Sequence, residues 1–222
     1  WYTCSIDFSN AFVQAVLEEP VWIHLPRGFN SSRVGNGKTC LRLCRSLYGL
    51  SIAPKLWYEH LFAFFINDGF KPCDEDKCLL IKHEMLIILY VDDGGISARR
   101  KSDVDELLER LERSNFKLTR EGSFSEFLGI KFEKDPASKT ITLSQQGLIK
   151  KILEATNMTD CNPNWIPASP KCLGSDPDGE PMVEAWSYPS IVGMLLYLSS
   201  NTRPDIAFAA SPVARFNWHC FQ

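Results

Sequence analysis

The fold is best predicted from residues 86–95, Leu-Ile-Ile-Leu-Tyr-Val-Asp-Asp-Gly-Gly, where an apolar run stops at two aspartates and two glycines. This pattern predicts a buried β-strand that runs into a tight turn and leaves two carboxylates, Asp92 and Asp93, side by side. Two negative charges this close repel each other, so the pair is stable only when it is solvated or neutralised by a cation. Carboxylate oxygens favour Mg²⁺ or Mn²⁺ over zinc. An ordinary Asp-Gly hairpin turn is the alternative that these residues leave open.

The length and composition are those of a folded protein, and they favour no particular class of binding partner. The 222 residues suffice for one large or two small domains, and 45% hydrophobic residues supply a sizeable core. No apolar run approaches the roughly 20 residues of a membrane span, so we expect no membrane partner. The net charge of −3 argues against generic nucleic-acid binding, so such a function would depend on local basic patches. Cys73, Cys78 and His83 match no common zinc spacing.

Strands and helices alternate in the first half of the chain. Apolar residues two apart indicate half-buried strands, and apolar residues three and four apart indicate helices. These rules predict a strand over 2–8, a helix over 10–17, a hairpin of strands 21–25 and 41–43 with its turn at Gly35-Asn36-Gly37, and a helix over 54–69. They also predict a hairpin of 78–83 and 86–91 around Glu84, a return strand over 95–98, and a helix over 102–114 capped by Ser102.

The second half of the chain adds one hairpin and several helices. Strands 126–132 and 140–143 form the predicted hairpin, and a helix capped by Ser144 runs to about residue 157. Residues 159–183 contain five prolines and are predicted to be a linker, followed by helices over 188–199 and 204–216. Strands interleaved with helices in this way predict an α+β fold.

A third carboxylate, Asp7, lies at the end of the first predicted strand. Nucleotidyl transfer uses two divalent ions about 4 Å apart, and a carboxylate from a separate strand is needed beside an aspartate pair. Asp7 supplies that carboxylate if its strand adjoins the one that delivers Asp92, because both then end at the same edge of the sheet. The spacing leaves this adjacency open, and a helix cap is the alternative role of Asp7.

Six motifs, in order along the chain, resemble those of the reverse transcriptases of copia-type retrotransposons. The resemblance covers about residues 5–216. The motifs are Ile6-Asp7-Phe8-Ser9-Asn10-Ala11-Phe12, Leu17-Glu18-Glu19-Pro20-Val21-Trp22-Ile23, Ser46-Leu47-Tyr48-Gly49-Leu50 with Ala53-Pro54 and Trp57-Tyr58, Tyr90-Val91-Asp92-Asp93, Phe127-Leu128-Gly129-Ile130 with Leu143-Ser144-Gln145, and Thr202-Arg203-Pro204-Asp205-Ile206-Ala207.

This resemblance implies an RNA-directed DNA polymerase that transfers a nucleotide from a dNTP to a primer 3′-hydroxyl. It assigns Asp7, Asp92 and Asp93 as the catalytic, metal-binding carboxylates, with the backbone carbonyl of Phe8 as a further ligand. The implied cofactor is a pair of Mg²⁺ ions, with Mn²⁺ as a substitute.

The resemblance also implies residues that bind the nucleotide and the primer. Phe12 matches a ring that crowds the sugar 2′ position and rejects ribonucleotides, although a core aromatic on a short helix is the alternative. Tyr48 and Gly49 match the loop that lines the nucleotide pocket. Lysines on a helix more often form a solvated face than a phosphate contact. The residues expected to contact primer or template are Tyr90, Phe127, Leu128, Gly129, Lys150 and Lys151.

The fold implied by the resemblance is a palm with an antiparallel sheet and packed helices, followed by a helical thumb and connection segment. We expect a palm over 1–133, a hairpin and thumb-entry helix over 134–158, a proline-rich linker over 159–183 and a helical connection segment over 184–222. We expect the chain to be a fragment that lacks fingers and ribonuclease H domains, and to be inactive by itself. The expected partners are an RNA template, a DNA primer, dNTPs and those domains, in cytoplasmic virus-like particles.

Two departures from the family pattern leave a second function open. Ser51-Ile52 replaces the usual Lys-Gln and removes a basic residue near the template, and Gly94-Gly95 replaces an apolar pair and loosens the strand. Both suit either a divergent lineage or a decayed copy, so a non-catalytic remnant that binds nucleic acid or a partner is the alternative. A two-metal nuclease is disfavoured because no His or Lys lies beside the carboxylates in sequence.

Overall fold

The computed structural model describes residues 1–28, 40–168 and 186–216. The chain divides into two units, Trp1–Phe124 and Ser125–Gln222. The predicted turn at Gly35-Asn36-Gly37 and residues 169–183 of the predicted linker lie outside the described residues. Within the described ranges, no helix is both long and apolar enough to cross a membrane. The predicted palm, thumb, linker and connection boundaries stay predictions.

The first unit is built on a six-stranded antiparallel sheet with the strand order β4-β5-β6-β7-β1-β8. Strands β2 and β3 pair separately as a two-stranded sheet. In chain order, the elements are β1 (Tyr2–Phe8), α1 (Ala11–Gln14), β2 (Val16–His24), β3 (Cys40–Arg45), α2 (Ala53–Asn67), β4 (Lys71–Pro72), β5 (Leu79–Lys82), β6 (Met85–Tyr90), β7 (Asp93–Ala98), α3 (Lys101–Arg113) and β8 (Leu118–Gly122).

Both long helices of this unit cover one face of the six-stranded sheet. Side chains alternate along a strand, so Ile6 and Phe8 share a face, and both are buried in one cluster with Trp57 of α2 and Leu107 of α3. The Phe8 and Trp57 rings meet edge to face, with their centroids 5.3 Å apart. Asp7, between Ile6 and Phe8, therefore lies on the opposite face, which these helices leave open.

The second unit is smaller and has its own apolar cluster. Ile152, Ile191 and Leu198 are its buried members, so the helix after the hairpin packs on the helix after the linker. Its elements are β9 (Glu126–Phe127), β10 (Ile130–Asp135), β11 (Thr140–Ser144), α4 (Gln146–Ala155), α5 (Tyr188–Asn201), a 3₁₀ turn (Pro204–Ile206) and α6 (Ala207–Ala214). Strands β9, β10 and β11 form one antiparallel sheet.

The helix predicted over 10–17 is wrong in length, because only Ala11–Gln14 are helical. Asn10 has a left-handed φ of 52°, which breaks the chain direction just before the helix. Val16 then pairs with Arg45, so the residues after Gln14 join strand β2 instead of continuing the helix.

Three further details of the prediction are wrong. Ser102 lies inside α3 and makes no capping hydrogen bond, and its hydroxyl instead donates to Asp103. Ser144 is the last residue of β11, so it does not cap α4. The strand predicted over 126–132 is broken into β9 and β10 by a turn at Leu128 and Gly129, where φ is 52° and 73°. Two positive φ angles in a two-residue loop are typical of a type I′ hairpin turn.

Candidate active site

Strand pairing brings the three predicted carboxylates to one edge of the six-stranded sheet. Asp7 in β1 lies directly opposite Asp93 in β7, and Asp93 also pairs with Tyr90 in β6. Directly opposed residues point to the same face, with Cβ atoms about 5 Å apart. Asp92 occupies the two-residue turn between β6 and β7. The strand next to β1 is therefore the return strand β7, which begins with Asp93, and not β6 as the adjacency hypothesis supposed.

The turn that carries Asp92 has a strained backbone and two specific supports. Val91 has a φ of 56°, which a β-branched residue adopts only at a cost of roughly 1–3 kcal/mol. The buried Trp57 donates its Nε1–H to the Val91 carbonyl over 2.6 Å. The amide of Phe8 donates to the Asp92 carbonyl over 2.8 Å. Both peptide oxygens of the turn are thus fixed by residues of the core.

The carboxylates influence one another electrostatically. Burial, followed by the charges of Asp92 and Asp7, raises the pKa of Asp93 above its ordinary value. The pKa of the Tyr48 phenol is raised by partial burial and by the same two carboxylates. Strand pairing sets Asp7 opposite Asp93, with Asp92 directly before Asp93, and the charges of Asp7 and Asp92 act on both Asp93 and Tyr48.

This edge of the sheet suits a divalent cation that is completed by its substrate. All causes of the Asp93 shift disfavour the charged form, so a cation would relieve a repulsion that the fold imposes. Among residues 1–28, 40–168 and 186–216, no three His, Cys, Asp or Glu side chains stand close enough to hold a metal ion by themselves. Mg²⁺ is commonly held by one or two carboxylates together with substrate phosphates, so the donor set fits an ion that arrives with a triphosphate.

An aromatic pair borders the carboxylates. The rings of Phe12 and Tyr48 lie 4.7 Å apart with an interplanar angle of 49°. Phe12 packs against the edge of the core while Tyr48 is half-exposed, and the two interpretations of Phe12, core residue and pocket wall, stay predictions. Gly49 follows with a φ of 95°, a conformation that favours glycine in this turn.

Neighbouring side chains fill the space beside Gly94 and Gly95, the glycine pair that follows the Val91-Asp92 turn. A Cβ on Gly94 would lie 2.8 Å from Cγ1 of Ile6, on the helix-covered face. A Cβ on Gly95 would collide with the ring of Phe124 and would lie 3.0 Å from Cγ2 of Ile88, on the open face. The space that larger residues would fill is therefore occupied from both sides, so the pair does not leave a gap in the sheet.

An apolar cavity of about 220 Å³ lies beneath the turn. Its lining includes Trp57 and Leu61 of α2, Leu89 of β6 and Val91 of the turn, together with the half-exposed Tyr90. Tyr90 thus extends from the end of β6 at the same edge as the carboxylates. Its predicted contact with the primer end stays a prediction.

The remaining predicted contact residues lie in the second unit. Gly129 and Lys151 line one open groove of about 410 Å³, and Tyr197 donates its hydroxyl to the Leu128 carbonyl over 2.7 Å. Lys150 is exposed, and its Nζ atom lies 3.6 Å from Oε1 of Glu154, one helical turn away. Such a pair is typical of a solvated helix face. Phe127 begins the turn that Tyr197 supports. The structure brings Gly129 and Lys151 together, while Lys150 is not part of this groove's lining.

Two supporting residues escaped the sequence analysis. Trp57 was named only as part of a motif, although a buried indole N–H usually has a hydrogen-bond partner and so signals a polar contact. Gln14 lies in a segment predicted to be a longer helix, and its side chain bonds Ser9 and Lys117. No local pattern indicates a contact between residues about a hundred positions apart.

Comparison with known proteins identifies a family for this chain. Residues 1–170 match the family model described as reverse transcriptase (RNA-dependent DNA polymerase). The chain is 31% identical over 222 residues to the retrovirus-related Pol polyprotein from transposon TNT 1-94 of Nicotiana tabacum, covering 95% of this chain and 16% of that protein.

Two other relatives give the same picture. The retrovirus-related Pol polyprotein from transposon RE1 of Arabidopsis thaliana is 31% identical over 97% of this chain and 15% of its own length. The putative transposon Ty5-1 protein of Saccharomyces cerevisiae is 28% identical over 95% of this chain and 68% of its own length. The match to the family model spans well over half of the chain, and the chain therefore belongs to the reverse transcriptase family, in the branch found in copia-type retrotransposons.

Proposed function

We propose that this chain carries the polymerase active site of a copia-type reverse transcriptase, which adds nucleotides from dNTPs to a primer 3′-hydroxyl on an RNA template. The observation that carries the proposal is the register that sets Asp7 opposite Asp93, with Asp92 in the adjoining turn. Three carboxylates at one edge of the open face, beside an aromatic pair, provide the oxygen donors that a triphosphate-bound cation needs.

Each group at the edge has a defined role in this proposal. Asp7, Asp92 and Asp93, with the Phe8 carbonyl, would hold two Mg²⁺ ions, with Mn²⁺ as a substitute. Such ions, when bound, neutralise phosphate charge and lower the pKa of the 3′-hydroxyl. The chain itself keeps the carboxylates in place, because Trp57 fixes the strained turn through the Val91 carbonyl.

The aromatic pair would form the wall of the nucleotide pocket. Phe12 lies against Tyr48, whose pKa is raised by burial and by the charges of Asp92 and Asp7. A ring at this position excludes the 2′-hydroxyl of a ribonucleotide by steric conflict, and Gly49 lets the loop turn beside it. Tyr90 would support the primer end from the adjacent strand.

The second unit would contact the primer backbone. Phe127, Leu128 and Gly129 form the turn that Tyr197 holds, and Lys151 lines the same groove as Gly129. A lysine beside exposed backbone is a common phosphate contact, and Lys150 would add a weaker one from the neighbouring surface.

The proposal extends to the larger protein. The chain covers 16% and 15% of the first two Pol polyproteins that it matches. We infer that it works within such a polyprotein, where other segments supply the fingers and the ribonuclease H domain, in a cytoplasmic virus-like particle.

Primer extension on an RNA template tests the proposal in a polypeptide that carries residues 1–222 within the Pol reading frame. We expect Mg²⁺-dependent dNTP incorporation that Asp7→Asn abolishes. Asp74→Asn is the matched control, because this exposed aspartate pairs only with Lys77 at 3.2 Å among the described ion pairs. Incorporation by Asp7→Asn at the unaltered rate would contradict the site, and complete inactivity of the unaltered polypeptide would favour the non-catalytic remnant.

A further inference from the structure

The short helix that carries Phe12 has few hydrogen bonds of its own and depends on support from other segments. Helix α1 has four residues, and Asn10 before it makes no side-chain capping bond. Four residues cannot form a stable helix by themselves, because nucleation fixes several residues for each hydrogen bond gained. The position of Phe12 must therefore depend on contacts from other segments.

Gln14, the last residue of α1, supplies such contacts. Its Nε2 group donates to the Ser9 carbonyl over 2.9 Å and to the Lys117 carbonyl over 2.9 Å. Its Oε1 atom accepts the Lys117 amide over 2.8 Å. The carboxamide thus pairs with both backbone groups of Lys117, as a residue of a neighbouring strand would, and also closes the loop back to Ser9.

The backbone of Gln14 is fixed as well. Arg45 donates its Nη1–H to the Gln14 carbonyl over 2.6 Å, and the Ser46 amide donates to the Ala15 carbonyl over 2.9 Å. Ser46 lies two residues before Tyr48, the ring that packs on Phe12. Both sides of the aromatic pair are therefore attached to the chain segment around Gln14.

We propose that Gln14 is a positioning residue that sets the distance between the Phe12 wall and the carboxylates, and thereby the selection of deoxyribonucleotides over ribonucleotides. The inference rests on the proposed function. Only a primary amide of this length can donate two hydrogen bonds and accept a third here, since glutamate has no donor and asparagine is one methylene shorter. Loosening the segment lets the ring yield to a 2′-hydroxyl, while the carboxylates in β1 and β7 keep their pairing.

The test compares Gln14→Leu and Gln14→Glu with Ser9→Ala, which removes a hydroxyl but keeps the carbonyl that Gln14 uses. In primer extension, we expect both Gln14 variants to lower the ratio of kcat/KM for dNTP over rNTP by roughly threefold to tenfold, the effect of losing one or two hydrogen bonds. The kcat for dNTP should change less than its KM. Ser9→Ala should leave the ratio unchanged.

A double-mutant cycle with Phe12→Val shows whether Gln14 acts through Phe12. Phe12→Val should lower discrimination by itself, and adding Gln14→Leu should then lower it no further. Fully additive losses would overturn the inference, because Gln14 would then act independently of the ring. If Gln14→Leu fails to fold, as judged by its melting transition, the cycle is run with Gln14→Glu.

Hydrogen exchange separates this inference from the proposed function, because it needs no polymerase activity. The amides of Val13 and Ala15 bond Asn10 and Phe12 within the turn. We expect both to exchange faster in Gln14→Leu and Gln14→Glu than in Ser9→Ala. Unchanged exchange in both Gln14 variants would overturn the inference even in an active enzyme, whereas an inactive parent with faster exchange would contradict only the polymerase assignment.

Discussion

Strand β6 lies between two tight turns that have similar backbones and different residues. The turn before it contains His83 and Glu84, and the turn after it contains Val91 and Asp92. The first residue of each turn has a left-handed φ, 48° at His83 and 56° at Val91. Histidine tolerates this region, but a β-branched side chain does so only with strain.

The difference lies in what supports each turn. Glu84 is paired with Arg99 at 3.1 Å, and both side chains are more than 60% exposed, so the pair contributes little. Val91 and Asp92 instead have their carbonyls bonded by Trp57 and Phe8 from the buried core. The buried core therefore restrains the strained turn that carries Asp92, a carboxylate to which the proposed function gives a role.

The largest expected difference between the turns is catalytic. Asp92→Asn should lower Mg²⁺-dependent primer extension on the order of 10³-fold, because an amide lacks the negative charge with which a carboxylate binds the metal ion. Glu84→Gln removes a carboxylate from the equivalent position of the other turn and should leave extension unchanged. Steady-state extension rates measure both effects, and equal losses in the two variants would remove the distinction between the turns.

The strand that leaves the catalytic turn should be less tolerant of added volume than an open glycine site. Gly95→Ala should lower the free energy of unfolding by about 1–2 kcal/mol, because the new methyl group meets Phe124 and Ile88. Gly147, whose surroundings leave open space, provides the control Gly147→Ala. Denaturant unfolding measures both, and adding Phe124→Leu should recover part of the Gly95→Ala loss. A neutral Gly95→Ala would show that the glycine pair has no packing role.

Removing the indole bond should weaken only the catalytic turn. Trp57→Phe keeps an aromatic ring in the core but leaves the Val91 carbonyl without its donor, at a cost of about 1 kcal/mol. Primer extension should also fall severalfold, because Asp92 is then less well positioned. Trp22→Phe, at an exposed tryptophan, is the control. Extension that is fully retained by Trp57→Phe would mean that the turn holds its shape unaided.

The smallest effect should appear when the strain itself is relieved. Val91→Asn should raise the free energy of unfolding by about 0.5–1 kcal/mol, since asparagine adopts the left-handed region readily. His83→Asn should change it by less than about 0.5 kcal/mol, because histidine is not strained there. Urea unfolding of the two variants compares them directly. A destabilising Val91→Asn would indicate that the apolar contact of Val91 outweighs its backbone strain.

The elements that the sequence predicted well are those whose signal is local. The buried strands predicted for β1 and β6 and the apolar stripe of α3 each match their structure to within a residue or two. The positions of Asp7, Asp92 and Asp93 at a strand end or in a turn were also predicted, because composition marks those places. The register of Asp7 against Asp93 could not be predicted, because it depends on which strands pair.

Contacts made by single polar groups were missed for a related reason. The bonds from Trp57 to Val91 and from Gln14 to Lys117 join residues 34 and 103 positions apart. Neither hydrogen bond changes the hydrophobic pattern of its own segment, so the periodicity of the sequence does not predict it. The short length of α1 also depends on a distant contact. Asn10 limits the helix at its start, and the pairing of Val16 with Arg45 limits it at its end.

The central claim is tested most directly by measuring Mn²⁺ binding to residues 1–222 in the presence of a dNTP. Binding is detected as a loss of the paramagnetic resonance signal of free Mn²⁺. We predict that this binding weakens as the pH falls, because a protonated carboxyl group cannot ligate the ion. The weakening should begin at a higher pH than for an ordinary aspartate, because the pKa of Asp93 is raised. Asp92→Asn should reduce this binding strongly, and Glu84→Gln should leave it unchanged. Equal binding by the unaltered chain and Asp92→Asn at every pH would contradict a metal site at this edge of the sheet.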